Sequence, residues 1–159
     1  MYILLYGIYG FVGGTMKDEI IELHERNLAL FGKFRDYEGK LIDSLQEFDK
    51  SRGVEALGYA SLYRYCVDGL GMSEGQAYTF IRVSRKSVEV PELKQAVQEQ
   101  EMNITNARVI SSVINKQNKE EWIEKGKTMP KAQLEREVAK VNPKAAKPDR
   151  IIPINESQS

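Results

Sequence analysis

The 159-residue sequence predicts an all-α, multi-helix fold that contains a helix-turn-helix. Three observations carry this expectation. After Met16 the apolar residues recur at steps of three and four, and no alternating run long enough for a strand appears. Two short apolar segments, 61–69 and 74–88, flank a turn that holds Gly69 and Gly71, residues free to take a tight backbone path. Ser73-Glu74-Gly75-Gln76 has the S-x-x-Q spacing of a capping box, in which each side chain satisfies a free N–H at a helix start.

The elements follow in chain order. Residues 1–14 (MYILLYGIYGFVGG) are apolar and uncharged. They are too few to span a bilayer as a helix, and they lack the basic flank and cleavage site of a secretory signal. Three readings stay open: a mis-called start ahead of Met16, with the Gly13-Gly14 codons serving as a ribosome-binding tract, a membrane-associating segment, or a segment packed on the fold. Residues 17–31 set Ile20, Ile21, Leu23, Leu28, Leu30 and Phe31 among charges. Residues 33–50 place Phe34, Tyr37, Leu41, Leu45 and Phe48 on one stripe opposite Asp, Glu and Lys. These stretches form either one long helix or a pair broken near Gly32 or Gly39. The stripe suits packing or homodimerisation through residues 17–50.

Arg52-Gly53 ends that unit. A short helix over 61–69 starts with Ser61 as N-cap, and the next helix runs from Ser73 to about Val88, stopped ahead of Pro91. Further helices are expected over 91–100, over 106–114 with Thr105 as cap, over 119–125 ending at Gly126, and after Thr128, with Pro130 in the first turn. This last helix shows Leu134, Val138 and Val141 on one face and ends at Pro143. The chain thus divides into an apolar leader (1–15), an amphipathic helical region (16–53), a helix-turn-helix domain (54–142) and a flexible tail (143–159).

Composition limits the chemistry. With 23 basic and 23 acidic residues the formal net charge is zero, so any case for nucleic acid must be local. Residues 17–55 carry a net −3 and residues 56–159 a net +3. Cys66 is the sole cysteine and His24 the sole histidine, which leaves no disulfide framework and no protein-made zinc site. Cys66 lies in an apolar-aromatic run and reads as a buried thiol; His24 lies among charges and reads as solvated. No catalytic residues, metal ligands, cofactor or small-molecule substrate are expected.

A helical wheel of the second helix puts Ala77, Phe80, Ile81, Ser84 and Val88 inward, and Gly75, Thr79, Arg82 and Lys86 outward, flanked by Gln76, Tyr78, Val83 and Arg85. Ser73, Gly75, Gln76 and Thr79 suit base edges, since Gln can bond adenine through two groups. Arg82, Arg85 and Lys86 suit phosphates, which give affinity and register rather than sequence. Glu74 opposes phosphate. Against this stands the plain alternative, that any exposed helix has a cap and a polar outer face.

The block Leu57-Gly58-Tyr59-Ala60-Ser61-Leu62-Tyr63-Arg64-Tyr65-Cys66, followed by Leu70-Gly71-Met72-Ser73-Glu74-Gly75-Gln76-Ala77-Tyr78 and Ile81-Arg82, resembles the helical N-terminal region of bacterial HNH endonuclease-like proteins. The likeness extends through Pro91-Glu92-Leu93, Ile104-Thr105 and residues 131–138, covering roughly residues 20–142. It implies a helical DNA-binding domain. In that family a catalytic module built on histidines follows; here the one histidine is His24, so the resemblance implies the non-catalytic part. Arg82 occupies an arginine position of the pattern, while Tyr78-Thr79-Phe80 replaces a more basic stretch. More distantly, Leu70-Gly71-Met72-Ser73, Pro91, Ile104-Thr105-Asn106-Ala107-Arg108 and residues 129–135 resemble the DNA-binding domain of ParB-type partition proteins, without a counterpart of the nucleotide-binding region that precedes it there. The combined expectation is a cytoplasmic, non-enzymatic protein that binds double-stranded DNA, with membrane association not expected. The alternative is a helical protein–protein interaction module without DNA contact.

Overall fold

The computed structural model describes residues 14–146, and these are helical with no strand among them. The readings made for the leader and for the tail beyond residue 146 lie outside the described residues.

Helix α1 spans Gly14–Lys50, 37 residues without a break, about 55 Å at 1.5 Å per residue. Of the two arrangements the sequence left open, the single helix is the one observed. Gly32 and Gly39 sit in its interior. A glycine there costs about 1 kcal/mol against alanine, too little to break a well-supported helix. Gly39 has a further use: a Cβ there would stand 2.8 Å from Gln98 Cγ and 3.2 Å from Gln98 Cα, so its absence lets a neighbouring helix come close.

The two halves of α1 differ. From Arg35 onward, Gly39, Ile42 and Leu45 are buried against the domain. Every residue from 17 to 31 is exposed. Eight large apolar side chains (Ile20, Ile21, Leu23, Leu28, Leu30, Phe31, Phe34 and Tyr37) stand 46–66 % exposed along this half and just beyond it.

Arg52, with φ at 59°, turns the chain out of α1, and Gly53 lies under the Phe48 ring at the start of a one-turn helix α2 (Gly53–Ala56) that the periodicity did not reveal. Helix α3 (Leu62–Arg64) continues into a π-helical turn, Tyr65–Gly69. Helix α4 (Glu74–Glu89) ends at Val90, ahead of Pro91. Helices α5 (Pro91–Gln98), α6 (Ile104–Ile110), α7 (Lys119–Thr128) and α8 (Lys131–Val141) follow, with a 3-10 turn over Pro143–Ala146. Helix α4 is central and packs on α1, α5 and α6. The core joins Ile42 and Leu45 of α1 to Leu62, Cys66, Phe80, Val83, Leu93, Val97, Ile110, Trp122 and Leu134.

Several local expectations need correction. Asn103, not Thr105, caps α6: its Oδ1 accepts from Asn106 N at 2.8 Å, and the helix starts one residue before Thr105. Thr128 caps nothing; it is the last residue of α7 and its hydroxyl donates back to Glu124 O, so α8 begins after Pro130. Gly126 does not end α7 but lies inside it, where a Cβ would overlap Met102 Sδ. Val141 is exposed, because α8 ends there and only Leu134 and Val138 reach the core. Ser61 does cap α3, accepting from Arg64 N at 3.1 Å.

One buried polar side chain ties the second half of the domain together. Asn106 Nδ2 donates to Gly126 O at 2.9 Å and to Met129 O at 3.1 Å, closing the end of α7 onto α6. Asn106→Ala leaves both carbonyls without this donor, and unfolding free energy should fall by about 1–3 kcal/mol. Equilibrium urea denaturation measures it; an unchanged midpoint with unchanged slope would refute the role given to Asn106.

Candidate nucleic-acid interface

The chain between α3 and α4 is shaped by three local features. The π-helical turn closes with Leu70 N donating to Tyr65 O at 3.0 Å, one residue wider than an α-turn. Gly71, with φ at 72°, takes the left-handed backbone that reverses the chain. Met72 N then donates to Cys66 O at 3.0 Å, tying the chain back onto the π-helical turn. Cys66 is fully buried, as the sequence suggested, and burial pushes its thiol pKa up. This favours the neutral thiol, a packing group rather than a nucleophile.

Helix α4 starts with the capping box. Ser73 Oγ accepts from Gln76 N at 3.3 Å, and Gln76 Oε1 accepts from Ser73 N at 3.0 Å. The Ser73 hydroxyl also stands 3.0 Å from the same Oε1. The oxygen of Gln76 is therefore occupied. A two-point contact with adenine uses both the oxygen and the nitrogen of a glutamine, so Gln76 can make one only by leaving the cap. Its Nε2 remains a donor.

The wheel places the inward face about one residue off. Ala77, Phe80 and Ser84 are buried as expected, but so are Val83 and Ser87. Val88, expected inside, is 73 % exposed, and Ile81 is half-buried. The reason is that α4 is covered from several sides at once, by α1, α5 and α6, so its buried arc is wider than a single-faced wheel allows. Arg82 and Lys86, expected outside, are half-buried, and so is Thr79. With Gly75, Gln76 and Phe80 it lines a groove of about 430 Å³, whose other walls are Phe34, Tyr37, Glu38 and Leu41 of α1, Met72, and Ile104 and Thr105 of α6. The contribution of α1 could not be read from the motif, because it depends on how a distant helix docks.

The outer face of α4 carries Glu74, Tyr78, Arg82 and Arg85. Arg82 bonds the Tyr78 hydroxyl and its guanidinium lies 5.6 Å from that ring's centroid. Arg85 Nε meets Asp49 of α1 at 3.1 Å, and Lys86 Nζ meets Glu89 at 2.7 Å. Each cation predicted to face phosphate thus already has a partner. Exposed pairs of this kind are worth about 0–1 kcal/mol, so a phosphate could replace the partner at small cost.

Glu38, half-buried in the groove wall, has its carboxyl pKa raised by burial, which the Arg35 guanidinium 3.7 Å away partly offsets. Arg35 is itself held by Met102 O at 2.8 Å. His24 is exposed on α1. Among the described residues no cluster of three His, Cys, Asp or Glu side chains could hold a metal ion, and no described helix is long and apolar enough to cross a membrane. No protein-family model, curated protein or solved structure matches this chain.

Two outcomes follow. Ser73→Ala removes one half of the capping box and should cost about 1 kcal/mol. A chemical-denaturation midpoint equal to that of the parent protein would show the cap to be idle. For Glu38 the sign is set by its raised pKa: the folded state holds the proton more tightly than the unfolded chain, where a glutamate titrates near 4.3. Ionised Glu38 therefore opposes folding at neutral pH. The opposition fades as pH falls through the raised pKa and is gone below about 4.3. Glu38→Gln should raise the thermal midpoint at pH 7 and lose that advantage toward pH 4. An advantage that grows on acidification would contradict this account.

Proposed function

We propose that the chain is a non-catalytic DNA-binding protein in which α3, the 70–73 turn and α4 act as a helix-turn-helix, with α4 entering the major groove of double-stranded DNA. The observation that carries this reading is the start of α4: a capped helix leaving a glycine turn, with an outer face of exposed Tyr78 and Arg85 and half-buried Arg82. The resemblance of residues 57–82 to the region preceding the catalytic module of HNH endonuclease-like proteins supports the same reading. Ser73, Gly75 and the Gln76 amide nitrogen are the groups assigned to base edges. Thr79 reaches them only from inside the groove, and Arg82, Arg85 and Lys86 serve the phosphates. The helix start adds its own attraction for phosphate, opposed by Glu74.

A second reading is favoured by a specific observation. Half of α1 presents apolar side chains to solvent while the net charge of the chain is zero, which suits a protein-interaction module that never meets DNA.

A fluorescence-anisotropy titration of the full chain on random-sequence duplex separates the two. Binding at low salt is expected, with log K falling linearly in log salt. Arg82→Ala with Arg85→Ala should reduce that slope by about 2, one for each phosphate no longer neutralised. Failure to retain any duplex at low salt overturns DNA binding and leaves the interaction module. Binding with an unchanged slope would overturn the residue assignment alone.

A further inference from the structure

The exposed half of α1 carries a pattern that its use on DNA does not explain. Ile20, Asn27, Phe34 and Leu41 recur every seven residues, and Leu23, Leu30 and Tyr37 follow at the intermediate three-residue step. This is the a/d repeat of a two-stranded coiled coil, with one polar residue, Asn27, at a central a position. Near Leu41 the seam points about 70° away from the mean direction in which Ile42 and Leu45 enter the core, at 100° per residue. Docking of α1 on the domain half-buries Leu41 against the core and leaves the seam open from Tyr37 back to Ile20. Phe34, Tyr37 and Leu41 are at once the last turns of the seam and one wall of the apolar groove beside α4. The open stripe and the groove form one surface.

We propose that a second copy of this chain covers this surface, with the two α1 helices side by side and parallel. Charge is compatible with a second copy in the parallel direction. In a parallel pair the residue before each a position faces the e residue five places later on the other strand. Glu19 then meets His24 of the second copy, and Arg26 meets Phe31, a cation against an aromatic ring; Lys33 comes level with Glu38, whose carboxylate already pairs with Arg35. No like charges meet. In an antiparallel pair the g positions face each other, and the register that matches Phe34 to Leu23 sets Arg26 against Lys33 but also Glu19 against Lys40, so the direction rests on Asn27. A polar residue at a single a position also favours self-matching, since Asn27 can bond its own copy at the same level.

The area agrees. Half-exposed side chains of this size leave on the order of 90 Å² each in water. Together they expose about 600 Å² per chain, at the upper end of what monomers leave uncovered. Two such faces reach roughly the 1,200 Å² at which specific interfaces begin. Phe31 stacks on Phe34, with ring centroids 6.1 Å apart, and widens the seam on its e side. Ile21 and Leu28 fall outside it, at positions where scattered apolar residues are ordinary.

Pairing through α1 does not require DNA binding. If α4 does read DNA, a parallel pair places both copies of α4 at the same end of the coil.

Sedimentation equilibrium of the full chain should give the dimer mass at micromolar concentration. Leu30→Arg changes an exposed residue, so circular dichroism should keep the helical signal while the mass falls to that of the monomer. Asn27→Cys should form an intermolecular disulfide under mild oxidation, because equal positions face each other only in a parallel pair, and Cys66 is buried. A monomeric parent chain overturns the proposal, whether residues 1–13 cover the stripe or solvent does. So does a dimer that survives Leu30→Arg. A dimer abolished by Leu30→Arg, together with an Asn27→Cys variant that fails to cross-link, overturns the parallel direction.

Discussion

The domain depends on the clamp between the second half of α1 and the α4–α5 pair. Its apolar part is Ile42 and Leu45, both removed from water and each worth about 1.5–3 kcal/mol on burial. Its polar part runs along the same edge. Gln46 Nε2 donates to Ser84 O at 2.7 Å, Lys94 meets Asp43 at 2.6 Å, and Gln98 reaches the other oxygen of Asp43 at 2.5 Å. Exposed ion pairs add at most about 1 kcal/mol each, so the apolar contacts supply the stability and the polar ones fix the register. Without the clamp, α4 would lose one of its covering walls and the groove beside Thr79 would not exist.

Much of this was legible in sequence, and the reasons are physical. Caps and turns are local chemistry: Ser61, Ser73 with Gln76, and Gly71 did what their types and spacing required. The all-helical class followed from periodicity alone. What was missed depends on distant parts of the chain. Val83 and Ser87 are buried because three helices converge on α4, and a wheel assumes one. Asn103 displaced Thr105 as a cap because two candidates two residues apart compete and the better-placed oxygen wins, which spacing cannot rank. Gly126 looked like a helix stop, but its value is the space it leaves for Met102. The short α2 left no signal, being a single turn that Arg52 and Gly53 start by geometry rather than by pattern.

At the candidate site the sequence placed the residues on the right helix but did not show their states. Ser73, Gly75, Gln76, Tyr78, Arg82 and Arg85 do gather at one end and one side of α4. The surprise lies in their engagement. Gln76 is bound into its own cap, Arg82 to Tyr78, Arg85 to Asp49 and Lys86 to Glu89. A surface so arranged is self-neutralised, in keeping with the zero net charge of the whole chain. Any anion it takes must displace internal partners, so recognition there would proceed by exchange of bonds rather than by filling vacant ones.

Continuity of α1 has a further consequence. A helix hydrogen-bonded through 37 residues has no swivel, so each residue of its free half keeps a fixed azimuth, about 100° per residue, relative to α4. The direction in which the apolar stripe looks is set by the count of residues between it and the clamp. Adding one residue near Gly32 would leave the domain packed as it is, yet swing Ile20 and Leu23 a quarter-turn and more around the axis. The length of the rod thus encodes a phase: an insertion there redirects the stripe without touching the core.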